Sequence, residues 1–416
     1  MSTVLKGNCL IGQSGGPTSV INGSLYGIIK AARESDAIDR IYGASHGTQG
    51  ILREELIDLT DMSEENLELL PTTPSALLGS SRIKLSEFGA DDTDFITIYE
   101  LFKKYDIRYF FFIGGNDSMD TCDKISRYFR TVNFECRIFG VPKIIDNDLW
   151  GTDHCPGYGS AAKYVATTMQ ELYEDAAVYN YPQVVIVEVM GRNAGWLTGS
   201  AALARLNGHG PDLVYLPEVP FSVGDFLNSV GDFLAMDQSV LVAVSEGVMD
   251  EDRVYITDYS AETKYIDTFG HIQMGGVGSM LKSMVINRYK AKTRSIELSL
   301  LQRCAGHIAS KTDLDEAIMV GKAAVDYAIE GQSGYMVGIK RTSSDPYRSE
   351  PELLDLAKCA NYENKVPQEW ILPGGKGVTD EFIAYMKPLI QGEVRVPQKD
   401  GLPVFAKMEE TDTEEQ

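Results

Sequence analysis

Basic side chains are in short supply. The 416-residue chain has 38 Lys and Arg against 60 Asp and Glu, a formal net charge of −22. So negative a surface repels polyanions, which excludes nucleic acid or an anionic membrane as an expected partner. Any phosphate site must be built locally, from backbone amides, a few placed cations and a metal ion. The six cysteines are scattered and no two form a Cys-x-x-Cys pair, so neither a zinc site nor a disulfide framework is indicated. No run approaches the ~18 apolar residues of a membrane span. The N-terminus lacks a charged start followed by an apolar stretch, so no secretory signal is read there. No repeat of fixed period runs through the chain. These absences leave a soluble protein expected in the reduced cytoplasm. Its hydrophobic share of 44% and charged share of 24% are ordinary, and its length allows two domains.

What is present is organised around residues 108–148. Two short polar clusters there each follow an apolar run. Gly114-Gly115-Asn116-Asp117-Ser118 follows Tyr109-Phe110-Phe111-Phe112-Ile113, and Pro142-Lys143-Ile144-Ile145-Asp146-Asn147-Asp148 follows Ile138-Phe139-Gly140-Val141. Apolar runs this short read as strands buried on both faces of a parallel sheet. In such sheets the loops at the carboxyl ends of the strands hold ligands. Glycines let the backbone approach a phosphate, the lysine adds positive charge, and the acids can take a metal or a proton. The combination is equipment for phosphoryl transfer.

The rest of the chain repeats the pattern. Residues 8–12 read as a strand, Gln13-Ser14-Gly15-Gly16-Pro17-Thr18 as a tight loop and 19–32 as a helix, a possible anion site. Leu77-Leu78-Gly79-Ser80-Ser81-Arg82 is a second small-residue loop with an arginine. Beyond 157, strands at 184–189, 213–216 and 240–244 end in Met190-Gly191-Arg192, Pro217-Glu218 and Ser245-Glu246-Gly247, and a Gly270-His271-Ile272-Gln273 turn follows. Residues 281–331 read as helical, in three helices at 282–290, 298–309 and 314–331. The segment after 340 reads as peripheral. Two sheets with facing loops make a cleft, with a phosphate donor on one side and a phosphosugar acceptor on the other. Arg192 suits a phosphate already on the acceptor, Glu246 sugar hydroxyls, and Asp146 a base for the acceptor hydroxyl. Asp148 is expected to face away from Asp146, so that one carboxylate meets the acceptor while the other holds the loop or a metal water.

This ordered set of motifs, spread from Gly12 to about Gly334, resembles the phosphofructokinases. The resemblance implies an α/β fold of two Rossmann-like, three-layer domains with parallel-rich sheets and an active site in the interdomain cleft. It implies Mg2+-dependent phosphoryl transfer to the 1-hydroxyl of fructose 6-phosphate, by a homodimer or homotetramer. By resemblance, Asp146 is the proton acceptor. Gly15, Arg82, Gly115 and Ser118 hold the donor. Ile144, Met190, Gly191, Arg192, Glu246 and His271 meet the sugar phosphate, and Asn116, Asp117 and Asp148 are the candidate Mg2+ ligands. Residues 1–157 with about 273–326 are expected to form the donor domain, 158–272 with part of 327–400 the sugar domain, and 409–416 a frayed acidic tail.

Within that family, ATP-using members usually carry Gly where this chain has Asp117 and Lys143, whereas pyrophosphate users carry Asp and Lys. A carboxylate where an α-phosphate would run costs about 1 kcal/mol at ~4 Å in water and about 4 at an effective dielectric of 20. Lys143 can meet the phosphate that leaves when pyrophosphate is split. The expectation is therefore a reversible, pyrophosphate-dependent enzyme. An ATP-dependent 6-phosphofructokinase and a non-catalytic sugar-phosphate-binding subunit are the alternatives. Some positions depart from the family pattern. Asn116 stands for an acidic metal ligand, Ile144 for Thr and Met274 for Arg. Gln183 and Tyr265 replace arginines that reach a neighbouring subunit's sugar phosphate. Arg288, Arg294 and Arg303 are candidates to replace them, and Arg294 is favoured.

Overall fold

The structure, a computed structural model, describes residues 4–89, 91–259, 276–360 and 362–408. Eleven strands build two sheets in these residues. In chain order they are β1 (Gly7–Gln13), β2 (Ile38–Ala44), β3 (Leu56–Asp58), β4 (Ile107–Gly114), β5 (Arg137–Pro142), β6 (Gln183–Val189), β7 (Leu213–Tyr215), β8 (Val240–Ser245), β9 (Lys292–Glu297), β10 (Tyr335–Ser344) and β11 (Tyr347–Asp355). The first sheet runs β11-β10-β5-β4-β1-β2-β3, parallel from β10 to β2 with an antiparallel strand at each edge. The second runs β7-β8-β6-β9 and is wholly parallel.

The apolar run of β4 explains its central place. Tyr109 and Phe111 face one hydrophobic cluster, Phe110 and Phe112 the other, so both faces of the strand are buried. Helices Ile21–Arg33 and Lys311–Ile329 cover one face, and helices Thr93–Lys104 and Asn116–Thr131 supply residues to the cluster on the other. Two further clusters sandwich the second sheet. Chain order reverses beside β1, whose neighbours are β2 and β4, and such switch points are where open α/β sheets bind ligands. The loops after β1 and β4 are the Gly15 and Gly115 loops.

The segments after 272 lie differently from the sequence expectation. Helix Val277–Tyr289 and β9 belong to the second sheet, β9 pairing in parallel with β6. Helix Lys311–Ile329 and β10–β11 belong to the first. The gap between the helices expected at 282–290 and 298–309 is filled by β9, Lys-Thr-Arg-Ser-Ile-Glu, an edge strand that is polar where it meets solvent. In place of a helix at 298–309 there is one turn of helix, Leu301–Cys304, and a 3₁₀ turn, Gly306–Ile308. The chain after 340 is not peripheral. β10–β11 closes the first sheet, and Val366, Ile371, Val378, Phe382, Met386 and Leu389 are buried in the core beside the second. His271 and its turn, Tyr265, Met274 and the tail 409–416 fall outside the described residues.

Candidate active site

A cleft of about 840 Å³ lies between the carboxyl ends of the two sheets. From the first sheet it is lined by Gly15, Gly16, Arg82, Gly115, Asn116, Asp117, Ser118, Lys143, Ile144, Asp146 and Asp148, and from the second by Met190, Arg192 and Glu246. The sequence expectation named all of these, and one concavity unites them.

On the first side, the loop after β1 turns at Gly15, whose φ of +76° suits a residue without a side chain. The amide of Gly15 donates to the Ser81 carbonyl at 3.3 Å and the Ser80 hydroxyl to the Gly15 carbonyl at 2.6 Å, which locks the two small-residue loops together. Lys143 is only 1% exposed, and its ammonium donates to the Gly16 carbonyl at 2.6 Å. Burial, and next Arg303, push its pKa down from 10.5 to about 8. Asp117 sits in the first turn of helix Asn116–Thr131, where the dipole favours a negative charge, and pairs with Lys84 at 3.1 Å.

The two acids of the base loop are not opposed as expected. Asp146 and Asp148 both line the cleft. Residues two apart on extended chain share a face, so the opposed orientation was a wrong expectation; between the two acids, Asn147 is fully buried with a left-handed φ of +56°. Burial raises the pKa of Asp146, against the opposing pull of Lys143, Arg192 and Arg303. Burial and then Asp146 push Asp148 up to about 7.

On the second side, the Gly191 amide donates to Glu246 Oε1 at 3.3 Å and Ser245 Oγ to the Gly191 carbonyl at 2.6 Å. Gly191 is buried behind Met190 and Arg192 and does not line the cleft itself. A Cβ on Gly247 would lie 1.9 Å from the Arg192 carbonyl, so only glycine lets the loops after β6 and β8 close together. Burial and then Asp146 push Glu246 up to about 7.

Arg294 is misplaced by the sequence expectation. It is exposed on edge strand β9 and does not line the cleft. Arg303 does, because β9 ends at Glu297 and its carboxyl-end loop carries Ser299, Gln302 and Arg303 inward. Gln302 accepts from the Met190 amide at 3.2 Å, and burial together with Arg82 lowers the pKa of Arg303. Arg303 was one of the three candidates, and reading β9 as a strand would have favoured it over Arg294. Glu188 and Glu363 also line the cleft unannounced. Glu363 accepts from Asn193 Nδ2 at 2.6 Å, on a segment with no local signal.

The Phosphofructokinase family profile matches residues 8–327. The chain belongs to the phosphofructokinase family. It is 40% identical over 405 residues to the pyrophosphate–fructose 6-phosphate 1-phosphotransferase of Halomonas elongata, covering 96% of each chain. Among solved structures, it superimposes on the pyrophosphate-dependent phosphofructokinase of Nitrosospira multiformis with a TM-score of 0.87, at 37% identity and 96% coverage of each chain. For that of Marinobacter aquaeolei the TM-score is 0.86, at 36% identity, covering 99% of this chain and 98% of that one. The two-domain α/β phosphofructokinase fold is thus the fold of this chain.

A divalent ion has a place in this phosphofructokinase cleft. Asn116 Oδ1 and Asp148 Oδ1 are buried acceptors without a hydrogen-bond partner among the described residues, and both residues line the cleft. Oxygen acceptors left unpaired suit a hard cation. No group of three or more His, Cys, Asp or Glu side chains gathers as a metal cage among the described residues. The set fits Mg2+, which takes one or two protein ligands and fills its shell with water and phosphate oxygens.

Proposed function

We propose that the chain transfers a phosphoryl group reversibly from pyrophosphate to the 1-hydroxyl of fructose 6-phosphate, giving fructose 1,6-bisphosphate and phosphate. The observation that carries this reading is Lys143. It is a buried cation that donates to the Gly16 carbonyl and shares the cleft with Asp146 and with the Asp117 carboxylate at a helix N-terminus. The names of the relatives at 36–40% identity support the same donor.

The amides of the Gly15 and Gly115 turns, Ser118 and Arg82 hold pyrophosphate. Asp117 repels the continuation of a nucleotide triphosphate, which leaves room for two phosphates. Arg192 and Arg303 take the phosphate of the sugar, and Glu246, with Met190 and Ile144 beside it, its hydroxyls. His271 is retained as a further phosphate contact. Asp146 accepts the proton of the 1-hydroxyl as its oxygen attacks phosphorus, and the bridging P–O bond breaks toward the departing phosphate. The Lys143 ammonium faces that phosphate as its charge grows, where stabilisation accelerates the reaction. Asn116 and Asp148, with Asp117 at the rim, would hold Mg2+, which when bound offsets the charge of the pyrophosphate oxygens.

We further place the enzyme in the cytoplasm as a homodimer or homotetramer. Scattered free cysteines support the reducing compartment, and no helix among the described residues is long and apolar enough to cross a membrane. Light scattering on the purified protein reads its oligomeric state.

The deciding experiment compares pyrophosphate with ATP as donor, using fructose 6-phosphate and Mg2+. Turnover with pyrophosphate in both directions is expected. Ready turnover with ATP alone would overturn the donor assignment, and sugar-phosphate binding without turnover on either donor would identify a regulatory subunit.

A further inference from the structure

The base loop owes its shape to Asn147, and Asn147 is held from outside the catalytic core. Its side-chain oxygen accepts from the Cys155 amide at 2.9 Å and its side-chain nitrogen donates to the Tyr385 hydroxyl at 3.2 Å. That hydroxyl donates in turn to the Asp153 carbonyl at 2.8 Å. Two flanking points of the 146–155 loop are therefore tied to one phenol.

Tyr385 is itself rigidly placed. It lies on helix Asp380–Met386, against Trp196 and Trp370 at ring separations of 5.4 and 5.3 Å, with the Arg341 guanidinium 4.5 Å over its face. Arg341, on β10, donates to the Tyr385 carbonyl at 3.0 Å and to the Asp153 carboxylate at 2.9 Å. Trp196 starts the helix that follows the Arg192 loop. The phenol thus bridges the first sheet, which carries the base, and the second, which carries the acceptor loops. It lies 58 residues beyond the end of the family match at 327 (385 − 327).

A left-handed backbone is tolerated by asparagine but not stabilised by it, so the conformation needs support from its surroundings. Without the clamp, the Asn147 backbone is free to leave the left-handed region, and the neighbouring Asp146 carboxylate moves with it. We propose that Tyr385, acting through Asn147, is a positioning residue that holds Asp146 against the acceptor hydroxyl. This rests on the reading of Asp146 as the proton acceptor.

A loosened base lowers the rate of the chemical step more than it weakens binding, and a misplacement near 1 Å costs up to about a hundredfold. Tyr385→Phe deletes only the hydroxyl, and Asn147→Gly removes the clamped side chain while still permitting the left-handed backbone. Each is expected to lower kcat between about tenfold and about a hundredfold, with the KM for pyrophosphate and for fructose 6-phosphate within about twofold of the parent. Because both act through one contact, the double variant should be no slower than the slower single one. Multiplying losses in the double variant, or a Tyr385→Phe protein with parental kcat, would overturn the proposal. So would a rise in either KM that accounts for the loss. If Tyr385→Phe fails to fold, Asn147→Gly carries the test alone on its kcat-against-KM split. Asp146→Asn in the same assay separates the two readings. If it retains parental turnover, the base assignment itself fails, whatever Tyr385 does.

Discussion

Replacing Lys143 with methionine isolates the charge on which the donor reading depends, and it should act on activity and on stability in different ways. The side chain is buried and nearly isosteric with methionine, so the change removes an ammonium without opening a large cavity. Losing one preorganised donor aimed at developing oxyanion charge costs about 3–4 kcal/mol, or a fall in kcat of about 10²–10³. In the parent, kcat/KM for pyrophosphate should also decline above about pH 8, where Lys143 of the free enzyme gives up its proton. Methionine has no such proton, so the variant loses that limb.

The stability effect follows from the same burial. The folded-state pKa is depressed from 10.5 to about 8, so folding disfavours the charged form. That cost, about 3 kcal/mol as an upper figure, is full below pH 8, shrinks between 8 and 10.5 and is gone above. The hydrogen bond to Gly16 offsets about 1.5–3 kcal/mol of it, so parent and variant should be nearly equally stable at pH 7. As pH rises toward 10 the parent should gain up to about 3 kcal/mol on the variant. Phosphate-release kinetics and urea unfolding at pH 7 and pH 10, without substrate, measure both. A variant that keeps kcat within tenfold refutes the catalytic role. A stability difference that does not change with pH refutes the burial argument.

Three further outcomes are expected. Asp117→Gly should raise kcat/KM for ATP by a factor between several and about a thousand, from a like-charge cost of about 1–4 kcal/mol; no rise would mean that the carboxylate is not the barrier. Arg303→Ala should raise the KM for fructose 6-phosphate about ten- to a hundredfold, the loss of a charge-assisted contact, whereas Arg294→Ala should leave the site's turnover unchanged; the reverse pattern would restore Arg294. His154→Ala should cost about 3–5 kcal/mol near pH 6, because it leaves buried Glu316 without its 2.7 Å partner. Burial lowers the His154 pKa, but Glu316 and Asp153 outweigh it and raise the value to about 9. Its stabilisation is therefore full below the unfolded value of 6.5 and lost as pH rises through 9, so parent and variant should converge by about pH 9.5 in thermal unfolding.

The cleft's cradle was legible because its signals are local. A short apolar run followed by Gly-Gly or Lys-x-x-Asp fixes both the strand and what its carboxyl end presents, and β4, β5, β6 and β8 all deliver their loops to one cavity. β9 escaped because an edge strand need not be apolar. With it went the reason to prefer Arg303 among the three candidates, and Arg294, which shares the strand but not its carboxyl end, was favoured instead. The opposed orientation expected of Asp146 and Asp148 failed because residues two apart on extended chain share a face; what the sequence does not announce is the left-handed backbone of Asn147 between them.

The harder part was whatever reaches the base loop from far along the chain. Arg341, Glu363 and Tyr385 lie beyond residue 327, where the family match ends, and none belongs to a motif. Each nonetheless touches the 146–155 loop or its cleft: Arg341 through Asp153, Glu363 beside Asn193, Tyr385 through Asn147. The difference has a physical origin. A phosphate cradle needs consecutive backbone amides and so writes itself into consecutive residues, whereas a support needs only one side chain at the right point in space, at any sequence distance. The two classes should therefore respond differently to substitution. Cradle changes such as Gly15→Ala or Gly247→Ala act on binding and folding together, because a Cβ there meets a positive φ or a carbonyl at 1.9 Å. Support changes act on the rate of chemistry in a protein that still folds and binds, and that is the pattern by which a support can be told from a cradle.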